Sequence, residues 1–199
     1  MFSSLIARLV QALQILPGVG PKTATRIALF LVHKDRAAGQ ELANALHDAV
    51  SNVRECTHCR NVSEEPICAL CTNPKRDASL ICVVETPGDA YAIESSGSFS
   101  GRYFVLHGHL SPIDGVGPND LGLSLLHERV KVDAVNELIV ATGTSAEGEA
   151  TAHYIASMFH KEELTVTRIA HGVPAGGELS YTDVNTINHA LRGRTPIED

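Results

Sequence analysis

The 199 residues predict a multi-part α/β chain: a helical head, a four-cysteine block, a mostly parallel α/β domain and a short helical tail. Three observations carry this prediction. Apolar residues recur at helical spacing through the first 53 positions, two CxxC pairs fall between 56 and 71, and from Leu80 apolar strands alternate with helical stretches. Alternation of that kind places helices over a mostly parallel sheet.

In the head, Leu5, Leu9, Leu13 and Leu16 share one helix face, and Ala24, Ile27, Ala28, Leu31 and Val32 share another. A third face gathers Leu42, Ala45, Leu46, Ala49, Val50 and Val53. Between the first two helices lies "LPGVGPK". Gly18 and Gly20 there admit positive φ and bring bare backbone close to a ligand, and Pro21 suits the first turn of the next helix. The free N–H groups and positive dipole end of that helix form an anion site, with Lys22 and Arg26 beside it at i, i+4 spacing.

Charge supports this reading. The chain carries a net −7, which argues against a uniformly basic coat, yet residues 1 to 36 set Arg8, Lys22, Arg26, Lys34 and Arg36 against Asp35 alone. A basic head on an acidic body points to a polyanion held at one end. "GVGPKT" superficially echoes a phosphate-binding loop of the Walker A type, but Pro21 separates Gly from Lys and a helix, not a strand, precedes it. The plain alternative is a helical corner with no ligand. The stretch resembles the helix-hairpin-helix motif, which implies sequence-nonspecific contact to the DNA backbone.

"CTHCRNVSEEPICALC" places Cys56 and Cys59, then Cys68 and Cys71, in two CxxC pairs. Each pair offers two thiolates from one tight turn, and together they complete a tetrahedral Zn2+ shell with no open position, so the zinc is expected to be structural and present once per chain. Neither pair opens a helix after a strand, which argues against a thioredoxin-like role. His58 is a poor fifth candidate, and Cys82, inside an apolar strand pattern, reads as a buried thiol. No secretory leader pattern is present, and runs such as "LICVV" are far shorter than the roughly 20 residues that span a bilayer. The expectation is a cytosolic chain with reduced cysteines and no membrane partner.

Strands are expected at "LICVV", "YFVL", "ELIVA" and "TVTRIA", helices near 88 to 94, 120 to 131 and 147 to 159, and a closing helix over about Asp183 to Leu191. Glu85 stands at the carboxyl end of the first strand, where open α/β sheets bind ligands, and "ELIVA" runs into "VATGTSAEGEATA" at the same edge. A Glu with an Asp-x-Asp loop is the pattern of the Toprim domain of topoisomerases and primases, where the acids hold magnesium for phosphodiester chemistry. Type IA topoisomerases run "ATDPDREGEA" here, whereas this chain runs "ATGTSAEGEA", with Gly143 and Ser145 in place of the two aspartates. Glu85, Glu147 and Glu149 remain as an acidic face suited to a basic protein partner. A magnesium-dependent nuclease or topoisomerase-like enzyme is the alternative, and it lacks the carboxylate pair. His107, His109 and His171 follow no ligand spacing and read as core or turn residues.

The order of parts, together with "GRYFVLHGHLSPIDGVGP" and "RIAHGVPAGGELSYTD", resembles the RecR family of recombination mediators over essentially the whole chain. The corresponding boundaries are 1–54 for the helix-hairpin-helix head, 55–76 for the four-cysteine zinc block, 77–172 for the Toprim domain and 173–199 for a C-terminal segment in subunit contacts. The resemblance implies a nonenzymatic, cytoplasmic and nucleoid-associated DNA-repair factor. It further implies a ring-like homo-oligomer, a tetramer, that binds single-stranded, gapped or double-stranded DNA. Such a factor acts with RecO and RecF to load recombinase on single-stranded DNA at gaps.

Overall fold

The computed structural model describes residues 2–160, 163–170 and 172–196. It divides into two compact units, Met1–Val53 and Arg54–Asp199.

The first unit is helical: α1 (Ser4–Leu13), α2 (Pro21–Leu29), a π-helical segment Phe30–Lys34 and α3 (Arg36–Asn52). Pro21 occupies the first turn of α2, and Asp35 caps α3 by accepting from the Ala38 N–H at 2.9 Å. Leu16, expected on the first helix, lies beyond it in the turn before Gly18. Ala24 and Ala28 are fully buried, since small side chains let α2 approach its neighbours closely. Both α1 and α3 bury no residue completely, and Leu5, Leu42, Leu46 and Val50 are more than half exposed.

In the second unit the cysteine block comes first, with a short antiparallel pair, β1 (Arg54–Glu55) and β2 (Val62–Ser63), and a single-turn helix α4 (Ala69–Thr72). The α/β part follows as β3 (Asp77–Val84), α5 (Pro87–Ser95), β4 (Gly101–Val105), α6 (Leu123–Val132), β5 (Glu137–Ala141), α7 (Ala146–Phe159) and β6 (Thr165–Arg168). Its four strands are all parallel, in the order β4-β3-β5-β6. A 3-10 turn at Leu179–Tyr181 precedes α8 (Val184–Arg192), which Asp183 caps.

Alternation along β3 fills both faces of the sheet. Ile81 and Val83 join Phe104, Leu126, Leu138, Ile155 and Phe159 beneath α6 and α7, while Cys82 and Val84 join Ala90, Tyr103 and Val105 on the side of α5. Cys82 is 2% exposed, and burial pushes its thiol up to about 12. Helix α6 begins later than its apolar spacing predicts. Gly122, at φ 67°, ends a run of turns and serves as N-cap, so only Leu123 onward is helical. The strand expected to run to Ala170 ends at Arg168.

Candidate functional site

The hairpin of the first unit keeps α1 and α2 apart by one tight turn. Gly18 takes φ +78°, and the Val19 N–H donates to the Leu16 carbonyl at 3.1 Å. Gly20 does not take a positive φ as the sequence suggests; it is extended, at φ −79°, and is the N-cap of α2. No side chain caps this helix, so its first N–H groups are open to an anion. Lys22 and Arg26 are both exposed on α2.

The four cysteines of the block are brought together. Their Sγ atoms all lie within 4.8 Å of one another, and the residues are at most 6% exposed. Cys59 Sγ is 3.5 Å from Cys68 Sγ, and Cys56 Sγ is 4.0 Å from Cys71 Sγ. A tetrahedron with metal–sulfur bonds of about 2.3 Å has edges of about 3.8 Å, so the group is of the size that Zn2+ requires. The sulfurs are unbridged. Hydrogen bonding to Cys68 and Cys71 and burial drive Cys59 far upward, while accepting from Cys59 holds Cys68 far down as a thiolate. For Cys71 the hydrogen bond with Cys59 favours the thiolate, but Cys68 and burial outweigh it and push the thiol up to about 12; the charge of Arg129 acts in the lowering direction. Four buried, unbridged sulfurs at this spacing have the donors and the size to hold a divalent cation in place of their protons.

Four contacts fasten this block to the α/β part, one of them at the open edge of β4. The Val105 N–H donates to the Cys59 carbonyl at 2.8 Å, and Arg129 Nη1 on α6 donates to the His58 carbonyl at 2.9 Å. Arg60 Nη1 donates to the Leu121 carbonyl, and Leu70 packs against both the cysteines and the α5 face of the sheet. Covering the edge also shields strand groups that would otherwise pair with another chain.

At the carboxyl ends of β3 and β5, the loop 142–149 folds back on Glu85. The Gly143 N–H donates to Glu85 Oε1 at 2.7 Å, and His109 Nδ1 lies 3.3 Å from Glu85 Oε2. Ser145, in the position of the second absent aspartate, is the N-cap of α7, its hydroxyl accepting from the Gly148 N–H at 3.1 Å. Arg168, at the end of β6, pairs with Glu149 through Nη1 and donates to the Gly143 carbonyl through Nη2 at 3.0 Å. A guanidinium therefore lies across the loop that carries the aspartates in the topoisomerase pattern. The negative patch expected there is compensated in part: Glu149 is paired internally and Glu85 is engaged, while Glu147 is half-buried in the first turn of α7.

Sequence reasoning missed Arg168, Arg129 and the His109–Glu85 contact. Arg168 was discoverable, because "TVTRIA" ends at the same sheet edge as Glu85. Of the other histidines, His107 takes φ 60°, with Nε2 2.6 Å from the Arg60 carbonyl, a turn role; His171 lies outside the described residues.

A parallel α/β domain joined to a four-cysteine block and a helical hairpin defines a Toprim protein equipped with a zinc finger and a helix-hairpin-helix. Models of the RecR helix-hairpin-helix (residues 6–50), the RecR four-cysteine zinc finger domain (53–73), the Toprim domain (79–170) and the RecR C-terminal region (172–195) match in that order. Recombination protein RecR of Coxiella burnetii (strain RSA 493 / Nine Mile phase I) is 51% identical over 200 residues, spanning 100% of both chains. The chain belongs to the RecR family of recombination proteins.

Proposed function

We propose that this chain is a nonenzymatic recombination mediator that binds DNA through its helical head and acts with RecO and RecF to load recombinase on single-stranded DNA at gaps. The observation that carries the nonenzymatic reading is the use made of the Toprim loop. Gly143 and Ser145 bring no carboxylate, the backbone of the first receives Glu85 and Arg168, and the second caps α7. Paired acids that would hold magnesium for phosphodiester cleavage are replaced by a closed hydrogen-bonded turn.

DNA contact is assigned to Gly18, Gly20, Lys22 and Arg26, where an uncapped helix start and two exposed cations meet. Phosphates are bound there without reading bases. Cys56, Cys59, Cys68 and Cys71 hold one structural Zn2+ in this reading, which keeps the block folded at the sheet edge. Assembly into a ring-like tetramer is supported by the apolar face of the first unit. A groove of about 500 Å3 there, lined by Leu9, Leu13, Leu16, Leu42 and Leu46, has the character of a surface that another copy covers. Partner docking falls to Glu85, Glu147 and Glu149, with Glu147 making the direct contact and the other two fixing the loop. Among the described residues no helix is long and apolar enough to cross a membrane, and we place the protein in the cytoplasm with the nucleoid.

The test is the mass and DNA binding of the purified protein with and without RecO, alongside Glu147→Lys. A tetramer whose DNA binding is strengthened by RecO, and a variant with weakened RecO association but unchanged mass, are expected. Full RecO affinity in the variant removes the docking role, and a monomer under all conditions removes the ring.

A further inference from the structure

We propose that Arg129 is the charge-compensating residue of the zinc centre: a buried guanidinium, carried by the α/β domain, that offsets the charge of the four-thiolate ion and makes zinc retention depend on the docked sheet. The inference rests on the reading of the four cysteines as a zinc shell. Four thiolates around one divalent cation leave a net double negative charge. Here that charge is enclosed by residues that are at most 6% exposed, and a buried charge is tolerated only where an opposite charge and hydrogen bonds meet it.

Arg129 is 8% exposed and reaches the backbone of the cysteine block. Its Nη1 donates to the carbonyl of His58, between the ligands Cys56 and Cys59, at 2.9 Å, and to the carbonyl of Tyr103 at 2.7 Å. Nη2 is buried and has no hydrogen-bond partner among the described residues. In a native interior that is costly unless the charge itself is being used. Its ion pair with Asp133 is shared with a second cation. Asp133, 3.2 Å from Arg129 Nε, is also 3.4 Å from Arg102 Nη1, so two cations share one carboxylate and the cluster keeps a net positive charge. The other nearby guanidinium, Arg60, is directed to Glu55 at 3.5 Å and to the Leu121 carbonyl.

Two substitutions move the local charge in opposite directions. Arg129→Gln removes the cation, and Asp133→Asn removes the acid that competes for it. In the full-length protein, zinc transfer to a chromophoric chelator is timed for both, with far-UV circular dichroism and the thiolate-to-metal absorption of the cobalt-substituted protein confirming an intact shell. Arg129→Gln should release zinc about tenfold faster or more, the span that loss of an outer-shell partner brings; Asp133→Asn should release it more slowly than wild type. A purely structural tether predicts faster release from both, since Arg129→Gln loses the bonds to the His58 and Tyr103 carbonyls and Asp133→Asn weakens the pairing that holds Arg129 in place. Release from Asp133→Asn that is as fast as wild type or faster overturns the proposal, even if Arg129→Gln fails to fold. So does wild-type release from a folded Arg129→Gln. Metal analysis of the wild type separates the two readings: absence of zinc there removes the zinc shell itself, whereas zinc with unmoved rates removes only the role of Arg129.

Discussion

Arg168 donates from Nη2 to the carbonyl oxygen of Gly143 at 3.0 Å, clamping the backbone at the position where a metal-binding aspartate stands in the topoisomerase pattern. The same carbonyl is packed against Gly148, where an added Cβ would overlap it. Gly148→Ala should therefore force the turn open and destabilise the protein by about 1–3 kcal/mol. The denaturation midpoint measures this, and a midpoint equal to wild type would show that the turn is loose. Arg168→Gln should cost less, about 1 kcal/mol or below, because the pair with Glu149 is partly exposed.

The cysteine block has a core made of little besides its four sulfurs, with Ile67 and Leu70 packed against them. Zinc binding of this kind contributes on the order of 10 kcal/mol to a folded module. Removing one thiolate, by Cys59→Ser, should lower bound zinc well below one ion per chain and unfold residues 56 to 71. Metal analysis and hydrogen exchange of that segment check it; a fully zinc-loaded, protected block in the variant would contradict the assignment.

Lys22 and Arg26 belong to the basic head, on the helix whose start is uncapped. Replacing both with Glu should weaken DNA binding for all sequences alike and lower the salt dependence of affinity by about two phosphate contacts. Titration at several salt concentrations reads both effects. Unchanged binding by a folded double variant would move the interface elsewhere.

Glu94 accepts from both Arg76 and Tyr103, the latter at 2.9 Å. The Arg76 guanidinium first, and the Tyr103 hydroxyl after it, hold the Glu94 carboxyl below the usual range, although burial opposes them. A depressed folded value means that the stabilisation is complete above about pH 4.5, the ordinary value, and is lost as pH falls through the folded one. Wild type should therefore exceed Glu94→Gln in stability at pH 7, and the gap should close in acid below pH 4.5. Denaturation of both proteins across that range measures it; a gap that widens in acid would reverse the sign of the linkage.

Much of this molecule was legible in the sequence because its signals are periodic or spaced. "ELIVA" is β5 without adjustment, two CxxC pairs bring four sulfurs together, and Asp183 caps the last helix where the pattern places its start. What spacing does not encode is which charges meet across the fold. Arg168 and Glu149 are 19 residues apart and Arg129 and His58 are 71 apart, and only the parallel sheet and the docked zinc block make them neighbours. Gly20 illustrates a smaller gap: composition allows it a left-handed turn, but the helix that follows needs an extended N-cap there.

The central claim, a Toprim fold used for binding and not for cutting, is tested by incubating the purified zinc-loaded protein with single-stranded and gapped DNA in magnesium and in manganese, with retention and strand length read on the same samples. Bound DNA of unchanged length is expected under every condition. Metal-dependent shortening of the strands that disappears in Glu85→Gln would contradict it.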